Sequence, residues 1–361
     1  MKKILLIIFT FIIVLIAYRF MNDNSELLID SNKLIKSIIT PVLEEKIVPG
    51  KNIIYCSTLQ IAWNKFCNDI MLHNPVKFKN PPWYVNFLNK NMNNKSDLSN
   101  DSYYVAAGEG KDNIIAKINI ELKQKFPNAN DLDIKISENN FIVYSYLYKQ
   151  LKFFKEFEVL DSPILFGNQF DSNKVSGFGI NKFDGDKLEK YEGLMNQVKI
   201  WYYDEKYGFI IELIPEKDLD SIFISTLKPL DNLIDTYKNI MTYITKGNSE
   251  ELGDKDTLQI PKINFDLLHS YKELDNQEIL NDGFGGSYLE NLSQNIKFKL
   301  DEKGAILSSD TTMIGIIKGG APLTNRKLIV NSPFILFLKQ KNADLPYFVL
   351  YVDNIEFLEK R

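Results

Sequence analysis

The chain has 361 residues, of which 45% are hydrophobic and 12% aromatic, and its formal net charge is −4. This composition supports a folded core in one large domain or two small ones, and it excludes a globally disordered chain. Because the chain has 47 acidic and 43 basic residues, with no basic excess, we do not expect a nucleic acid as the main partner.

The N-terminus has the pattern of an export signal. Lys2 and Lys3 precede an uncharged apolar stretch at residues 4–18, and Arg19 ends it. The stretch is short for a full membrane span, and no clear small-residue cleavage site follows it. We therefore weigh an uncleaved membrane anchor at residues 1–21 against a cleaved signal peptide and a buried core helix. Either export signal would put residues 22–361, as one domain, outside the cytoplasmic membrane.

The first part of the domain reads mainly as helices. Apolar residues recur at helical spacing over residues 23–43, 57–72 and 114–126. Short strands are predicted at residues 52–55 and 103–107. Polar, asparagine-rich stretches predict exposed loops at residues 77–82 and 89–101.

From about residue 140 the pattern changes to strands. Residues 141–148 are apolar or aromatic almost throughout, as in a strand that is covered on both faces. Further strands are predicted at residues 176–183, 197–203, 209–214, 221–225, 258–265, 296–300, 326–330, 334–339 and 348–352. We expect a helix over residues 230–244 and one or two short helices over residues 267–280.

The segment from Asp301 to Phe334 has residues typical of strands, interrupted by glycines and prolines that are typical of loops. After Gly304 its residues are mostly small or β-branched, and later glycines loosen the backbone. One face of residues 305–315 carries no charge and would fit a core: Ala305, Leu307, Ser309, Thr311, Met313 and Gly315. Asp310 lies on the other face. The pattern alone favours an over-long hairpin loop, and the alternative is a segment that is loop in one state and strand in another.

Histidine and cysteine are scarce. The chain has two histidines, His73 and His269, and two cysteines, Cys56 and Cys67. A histidine-rich metal site is excluded by this count, and we expect neither a metal nor a cofactor. We expect both histidines to be structural or surface residues and both cysteines to be free buried thiols.

Six pieces of the sequence, in chain order, resemble the serpin family of serine protease inhibitors. Residues 52–61 resemble the family's Asn-x-x-Phe-Ser-Pro-x-Ser-Ile start, and residues 143–153 resemble its central strand Asn-Ala-x-Tyr-Phe-Lys-Gly-x-Trp. Leu213-Ile214-Pro215 and Ile260-Pro261-Lys262-Ile263 resemble two of its Leu-Pro strands. Glu302-Lys303-Gly304 and Ser332-Pro333-Phe334-Ile335-Leu336-Phe337 resemble the blocks on either side of the family's reactive loop.

The resemblance implies an α+β fold with N-terminal helices, a large mixed or antiparallel central sheet, further sheets and a long exposed reactive loop. The span between Asn52 and Phe141 is shorter than in the family, which implies that one or more helices are missing or reduced. The implied activity is protease trapping rather than an enzymatic reaction. A protease cleaves the loop and stays acylated while the loop inserts as a new strand in the central sheet.

The resemblance also implies where the functional residues lie. Counted along the family's loop from Gly304, the reactive bond falls at Lys318–Gly319, and a lysine there suits a trypsin-like protease. The sheet-opening region would include Ser57 and Gln60. The loop hinge would comprise Glu302, Gly304, Ala305, Leu307, Ser309 and Thr311.

Three hypotheses of different classes follow. The first is an exported, membrane-tethered and monomeric inhibitor of an extracytoplasmic serine or cysteine protease. The second is a serpin-fold binding or surface-interaction protein that does not inhibit, which the bulky Leu307, the charge of Asp310 and the short N-terminal half favour. The third is an unrelated envelope protein or enzyme, for which the sequence offers no catalytic constellation.

Overall fold

Strands form most of the fold. The computed structural model describes residues 28–91, 98–148, 151–168, 171–180, 188–216, 219–305 and 324–361. Its helices are α1 (Thr58–Lys65), α2 (Val85–Lys90), α3 (Ile114–Lys125), α4 (Leu188–Met195) and α5 (Leu233–Lys246). Its strands are β1 (Ile29–Asp30), β2 (Ser37–Thr40), β3 (Asn52–Cys56), β4 (Tyr103–Glu109), β5 (Phe141–Tyr148), β6 (Leu151–Lys152), β7 (Glu158–Val159), β8 (Ile164–Asn168), β9 (Asp171–Val175), β10 (Gly177–Ile180), β11 (Val198–Asp204), β12 (Gly208–Leu213), β13 (Asp220–Ser225), β14 (Glu250–Glu251), β15 (Thr257–Pro261), β16 (Ile263–Ser270), β17 (Gln277–Glu278), β18 (Tyr288–Leu300), β19 (Gly304–Ala305), β20 (Lys327–Ile329), β21 (Phe334–Gln340) and β22 (Phe348–Val352).

Most of the predicted elements are present. The strands β5 and β22 have the predicted bounds, and β18 begins at Tyr288, well before the predicted start at residue 296. The predicted helix over residues 57–72 is α1 followed by a π-helical turn at Phe66–Ile70. The hairpin of β8 and β9 and the helix α4 were not predicted.

Two helix predictions are wrong. From residue 28 onward, the segment predicted as a helix over residues 23–43 forms β1, a single 3-10 turn and β2. Ile38 and Ile39 are β-branched, and β2 pairs in parallel with β3 at the edge of a sheet. In place of the short helices over residues 267–280, β16 continues to Ser270, where its pairing with β18 overrides the helical pattern, and β17 follows.

The central sheet has the strand order β1-β16-β18-β5-β4, with β17 added beside β18. The pairs β16/β18 and β4/β5 are antiparallel, whereas β18 and β5 run in parallel between them. A sheet of eight strands, β14-β11-β12-β13-β21-β22-β3-β2, packs behind it. The small sheet has the order β20-β15-β10-β7. This combination of helices and mixed sheets is the predicted α+β class.

The main core lies between the central sheet and the eight-stranded sheet. Phe298 of β18 packs against Phe348 of β22 with ring centroids 4.7 Å apart. The helix α1 is buried under the other half of the central sheet through Trp63. The helix α3 covers the outer face of β4 and β5 through Ile118 and Leu122. Strand β5 is therefore covered on both faces, which explains its nearly continuous apolar sequence.

Among the helices of the described residues, none is both long enough and apolar enough to cross a bilayer. Residues 1–21, for which an anchor or signal peptide is predicted, lie outside the described part of the chain.

A buried ion pair fixes the chain where the structure resumes after residue 323. The guanidinium of Arg326 donates from Nε and Nη2 to Oδ2 of Asp256 at 2.9 and 2.7 Å. Its Nη2 also donates to the carbonyl of Glu251, and its backbone N–H donates to Oδ1 of Asp256. Asp256 is buried, so its charge depends on this cation.

We expect Arg326→Met to lower the free energy of unfolding by about 3–5 kcal/mol, because it leaves the buried carboxylate of Asp256 without its cation. Urea denaturation measures the change. The matched control is Lys65→Met, whose ion pair with Asp69 is exposed and should contribute no more than about 1 kcal/mol. Equal effects of the two substitutions would contradict the structural role of Arg326.

Candidate functional site

The parallel pair of β5 and β18 is the first feature of the site. Among the described residues, pairing extends from Phe141 opposite Leu289 to Tyr148 opposite Lys297. Beyond Lys297, β18 continues to Leu300, paired with β16. We call the parallel pair of β5 and β18 the junction. A third strand that entered between them in the opposite direction would be antiparallel to both.

A tight turn reverses the chain directly after β18. Asp301 and Gly304 exchange two backbone hydrogen bonds, of 3.2 and 3.0 Å. Gly304 has a φ of +100°, and a Cβ atom there would lie 2.2 Å from the carbonyl oxygen of Leu151, so only glycine fits. The reversed chain forms β19, which pairs antiparallel with β6, the continuation of β5. The described part of the loop thus begins between β18 and the end of β5.

An ion pair closes this turn. Lys262 Nζ lies 2.7 Å from Oε2 of Glu302, and both side chains are largely buried. The carbonyl of Glu302 accepts a hydrogen bond from the backbone N–H of Phe157 at 2.8 Å. Burial alone would raise the pKa of Glu302, but the nearby ammonium of Lys262 and the backbone N–H of Glu302 itself outweigh it and hold the pKa below the usual 4.5.

A buried hydrogen-bond network holds the junction closed. Gln294 of β18 and Ser145 of β5 are cross-strand partners, and both contact Thr58, the first residue of α1. Gln294 Nε2 donates to Thr58 Oγ1 at 2.9 Å and to the carbonyl of Cys56 at 3.1 Å. Thr58 Oγ1 donates to Ser145 Oγ at 3.4 Å, and the hydroxyl of Tyr271 donates to Gln294 Oε1 at 3.0 Å. All of these side chains are buried, so a lost bond leaves a polar group without solvent.

The two residues predicted for sheet opening lie next to this network but are not part of it. Gln60 Nε2 donates to Asn64 Oδ1 and to the carbonyl of Leu88. The hydroxyl of Ser57 is buried and has no hydrogen-bond partner among the described residues. The role predicted for Ser57 and Gln60 stays a prediction. The network residues Thr58, Ser145 and Gln294 were not singled out from the sequence, where Ser145 is the one small polar residue of an apolar and aromatic run.

The predicted hinge is only partly described. Glu302, Gly304 and Ala305 lie in the turn and in β19. Leu307, Ser309 and Thr311 lie outside the described residues, as does the predicted reactive bond Lys318–Gly319.

The histidines and cysteines have the predicted character. His269 is partly buried, with Nδ1 2.8 Å from the hydroxyl of Ser31, and its partial burial lowers its pKa to about 4. His73 is exposed. Cys56 and Cys67 are free and buried, and burial raises their pKa values to about 11 and about 12. Over the described ranges, no three His, Cys, Asp or Glu side chains are grouped to hold a metal ion.

Solved serpin structures superpose on most of the chain. Tengpin, a thermophilic serpin in its native state, has a TM-score of 0.52 and 14% identity, over 85% of this chain and 90% of its own. A tumour suppressing serpin has a TM-score of 0.53 and 14% identity, over 84% and 92%. Human thyroxine-binding globulin in complex with thyroxine has a TM-score of 0.50 and 10% identity, over 84% and 92%. The sequence matches no protein-family model and no curated protein. At these identities the likeness is one of fold.

We expect Thr58→Val to lower the free energy of unfolding by about 1–3 kcal/mol, because it removes the hydroxyl that joins Gln294 to Ser145. Urea denaturation measures the loss. The control is Thr242→Val on the exposed side of α5, which should change stability by no more than about 0.5 kcal/mol. Similar small changes in both variants would show that the network does not hold the junction.

The ion pair of Glu302 predicts a pH dependence. Because its pKa in the folded state lies below the usual 4.5, its stabilisation is present above that pH and is lost as the pH falls through the folded pKa. We expect Glu302→Gln to be less stable than the natural protein at pH 7, with a difference that shrinks on acidification below 4.5. Unfolding free energies at several pH values test this. Lys262→Met should shrink the same acid-dependent component, and unchanged pH profiles in both variants would refute the assignment.

Proposed function

Because this chain has the serpin fold, we propose that it is a serpin-like inhibitor, not an enzyme, that traps a serine or cysteine protease by cleavage and insertion of its loop. The observation that carries the proposal is the position of β19. It pairs antiparallel with β6, and Gly304 is bridged on its other side to Asp301, directly after β18. Export through residues 1–21, with the domain tethered outside the cytoplasmic membrane or secreted, belongs to the same proposal.

Two registers support insertion along the junction as far as Ile142 and Asn291. Gly304 pairs with Lys152 on one side and with Asp301 on the other. If both registers continue, each step forward along the loop is one step back along β5 and along β18. Asp310 would then lie between Tyr146 and Asn295, which now pair with each other. The two registers agree from Ser308 to Ile314, which would lie between Ile142 and Asn291, and the shift in the ladder between Leu289 and Asn291 ends the agreement there.

The chemistry of the two faces fits this register. Ser309 and Thr311 would lie on the interior face, between the present partners Leu147 and Ile296 and between Ser145 and Gln294. Both are small and uncharged, and the hydroxyl of Thr311 would meet the buried polar network.

Asp310, the one charged residue of 305–315, would lie near a lysine after insertion. Asp310 would lie on the outer face, beside the α3-covered Tyr146. In the register toward β18, its neighbour Ser308 would stand opposite Lys297, whose Nζ now lies 3.6 Å from Oδ2 of Asp266. An inserted Asp310 would therefore lie close to the ammonium of Lys297, which reduces the free-energy cost of burying the carboxylate.

The second candidate function is ligand or surface binding without inhibition. The bulk of Leu307 in the hinge favours it, and human thyroxine-binding globulin, similar in fold, is seen in complex with thyroxine. In that case cleavage of the loop would leave the junction closed.

We expect limiting trypsin to cut the chain at Lys318–Gly319, to form a covalent complex that survives SDS, and to leave cut protein with a raised Tm. The Tm rises because the inserted strand pairs with both β5 and β18. SDS gels, mass spectrometry and thermal melts provide the readouts. Lys318→Ala should abolish the complex without changing the Tm of the uncut protein. Cleavage at this bond with no complex and an unchanged Tm would reject inhibition and favour the binding function.

The register is tested with a matched pair of variants. Asp310→Lys would bring a second cation beside Lys297, so we expect cleavage to continue while the covalent complex and the rise in Tm are reduced. Asp310→Asn, which has nearly the same shape and no charge, should keep both. Equal behaviour of the two variants would mean that Asp310 does not reach Lys297.

A further inference from the structure

A cavity of about 130 Å³ lies beside the first turn of α1, away from the loop hinge. Its wall comes from the segment after β2, from β3, from the start of α5 and from the segment before β22. Apolar side chains such as Val42, Ile61 and Ile234 form part of the lining, and the half-exposed Leu345 lies at its edge. In size it is close to the roughly 150 Å³ cavity that holds one benzene molecule in an engineered protein.

The polar side chains of this cavity include two without partners. The carboxylate of Glu44 is half-buried and makes no hydrogen bond or ion pair with any described residue. Glu212, by contrast, accepts hydrogen bonds from Trp201 and Ser221. The hydroxyl of Ser57 is buried in the same lining and also has no partner within the described ranges. An unpaired carboxylate in the wall of a cavity attracts a partner of opposite charge.

The chemistry of the lining selects one class of ligand. A carboxylate attracts a cation and repels an anion, and the rings of Tyr55 and Tyr347 present aromatic surface that suits an ammonium group. The apolar side chains suit a hydrocarbon body of one ring or a short chain. We propose that the cavity binds a small organic ammonium ion, with Glu44 as its counter-ion and Ser57 as a hydrogen-bond partner.

Such a ligand would act on the junction through α1. Ser57 and Gln60 line the cavity, and Thr58 between them bonds to Gln294 and Ser145. A molecule packed against this turn limits its movement, so it stabilises the closed arrangement of β5 and β18. That the ligand would thereby slow loop insertion rests on the proposed function, whereas binding and stabilisation of the junction do not.

The test uses benzylammonium as the probe, with benzyl alcohol and benzoate as matched uncharged and anionic probes, in titration calorimetry on the full chain. We expect benzylammonium to bind more tightly than benzyl alcohol and benzoate not to bind. Glu44→Gln should lower the affinity for benzylammonium by about tenfold or more, because the charge-assisted contact is lost. The variant should fold, since the carboxylate makes no bond within the described structure.

Glu45→Gln is the control, because this neighbouring carboxyl does not line the cavity and should leave the affinity unchanged. Leu345→Trp, which narrows the edge of the cavity, should lower the affinity for every probe that binds. The proposal is overturned if benzylammonium does not bind, if benzoate binds equally well, or if Glu44→Gln keeps the affinity.

Hydrogen exchange separates this proposal from the proposed function. With benzylammonium bound, we expect slower exchange of the amides of β5 and β18, and no such change in Glu44→Gln. Unchanged exchange on binding would overturn the link to the junction. Binding with slower exchange, in a protein that never inserts its loop, would keep the ligand site and reject inhibition. Insertion without binding would reject the ligand site alone.

Discussion

The central constraint of this fold is that two neighbouring strands, β5 and β18, run in the same direction in the middle of a sheet whose other long pairs are antiparallel. Parallel strands pair slightly less strongly per residue than antiparallel ones. This pair is also the place where a reversed segment could gain two antiparallel partners in exchange for one parallel pairing. The junction is therefore the weaker part of the closed sheet, and side-chain hydrogen bonds reinforce the backbone pairing of β5 and β18.

That reinforcement comes from a few buried side chains. Thr58 joins the two strands from below, and Gln294 ties β18 to the carbonyl of Cys56. At the open end, Glu302 and Lys262 hold the turn that points the chain back toward the junction. Buried polar groups of this kind add little net stability when all are satisfied, but the loss of one partner is costly. Such buried polar groups suit a junction that stays closed until another segment replaces their hydrogen bonds.

The architecture could be predicted from the sequence to the extent that it depends on local pattern. The apolar run of β5 indicated a strand covered on both faces, and the packing of α3 on one side and of the main core on the other confirms this. The helix predicted over residues 23–43 was wrong because the parallel pairing of β2 with β3 is a tertiary contact that helical spacing cannot reveal. At the junction, successive residues of a helix point about 100° apart, so a short motif cannot decide which hydroxyl of residues 57 and 58 faces the strands. The pairing of β19 with β6 is likewise a tertiary contact that the local sequence pattern does not reveal.

The position of β19 has a kinetic consequence. A strand that had to enter a fully closed sheet would require all the hydrogen bonds between β5 and β18 to break together. If the loop inserts as proposed, Gly304 and Ala305 already lie beside β6, and the first pair of β5 and β18 to open would be Tyr148 with Lys297. Exchange can then proceed as it does in nucleic-acid branch migration, where each step breaks one local pairing and forms two others. Under the proposed insertion, we expect the barrier to depend on the most strongly held step rather than on the length of the junction, and that step would be the one at Ser145 and Gln294.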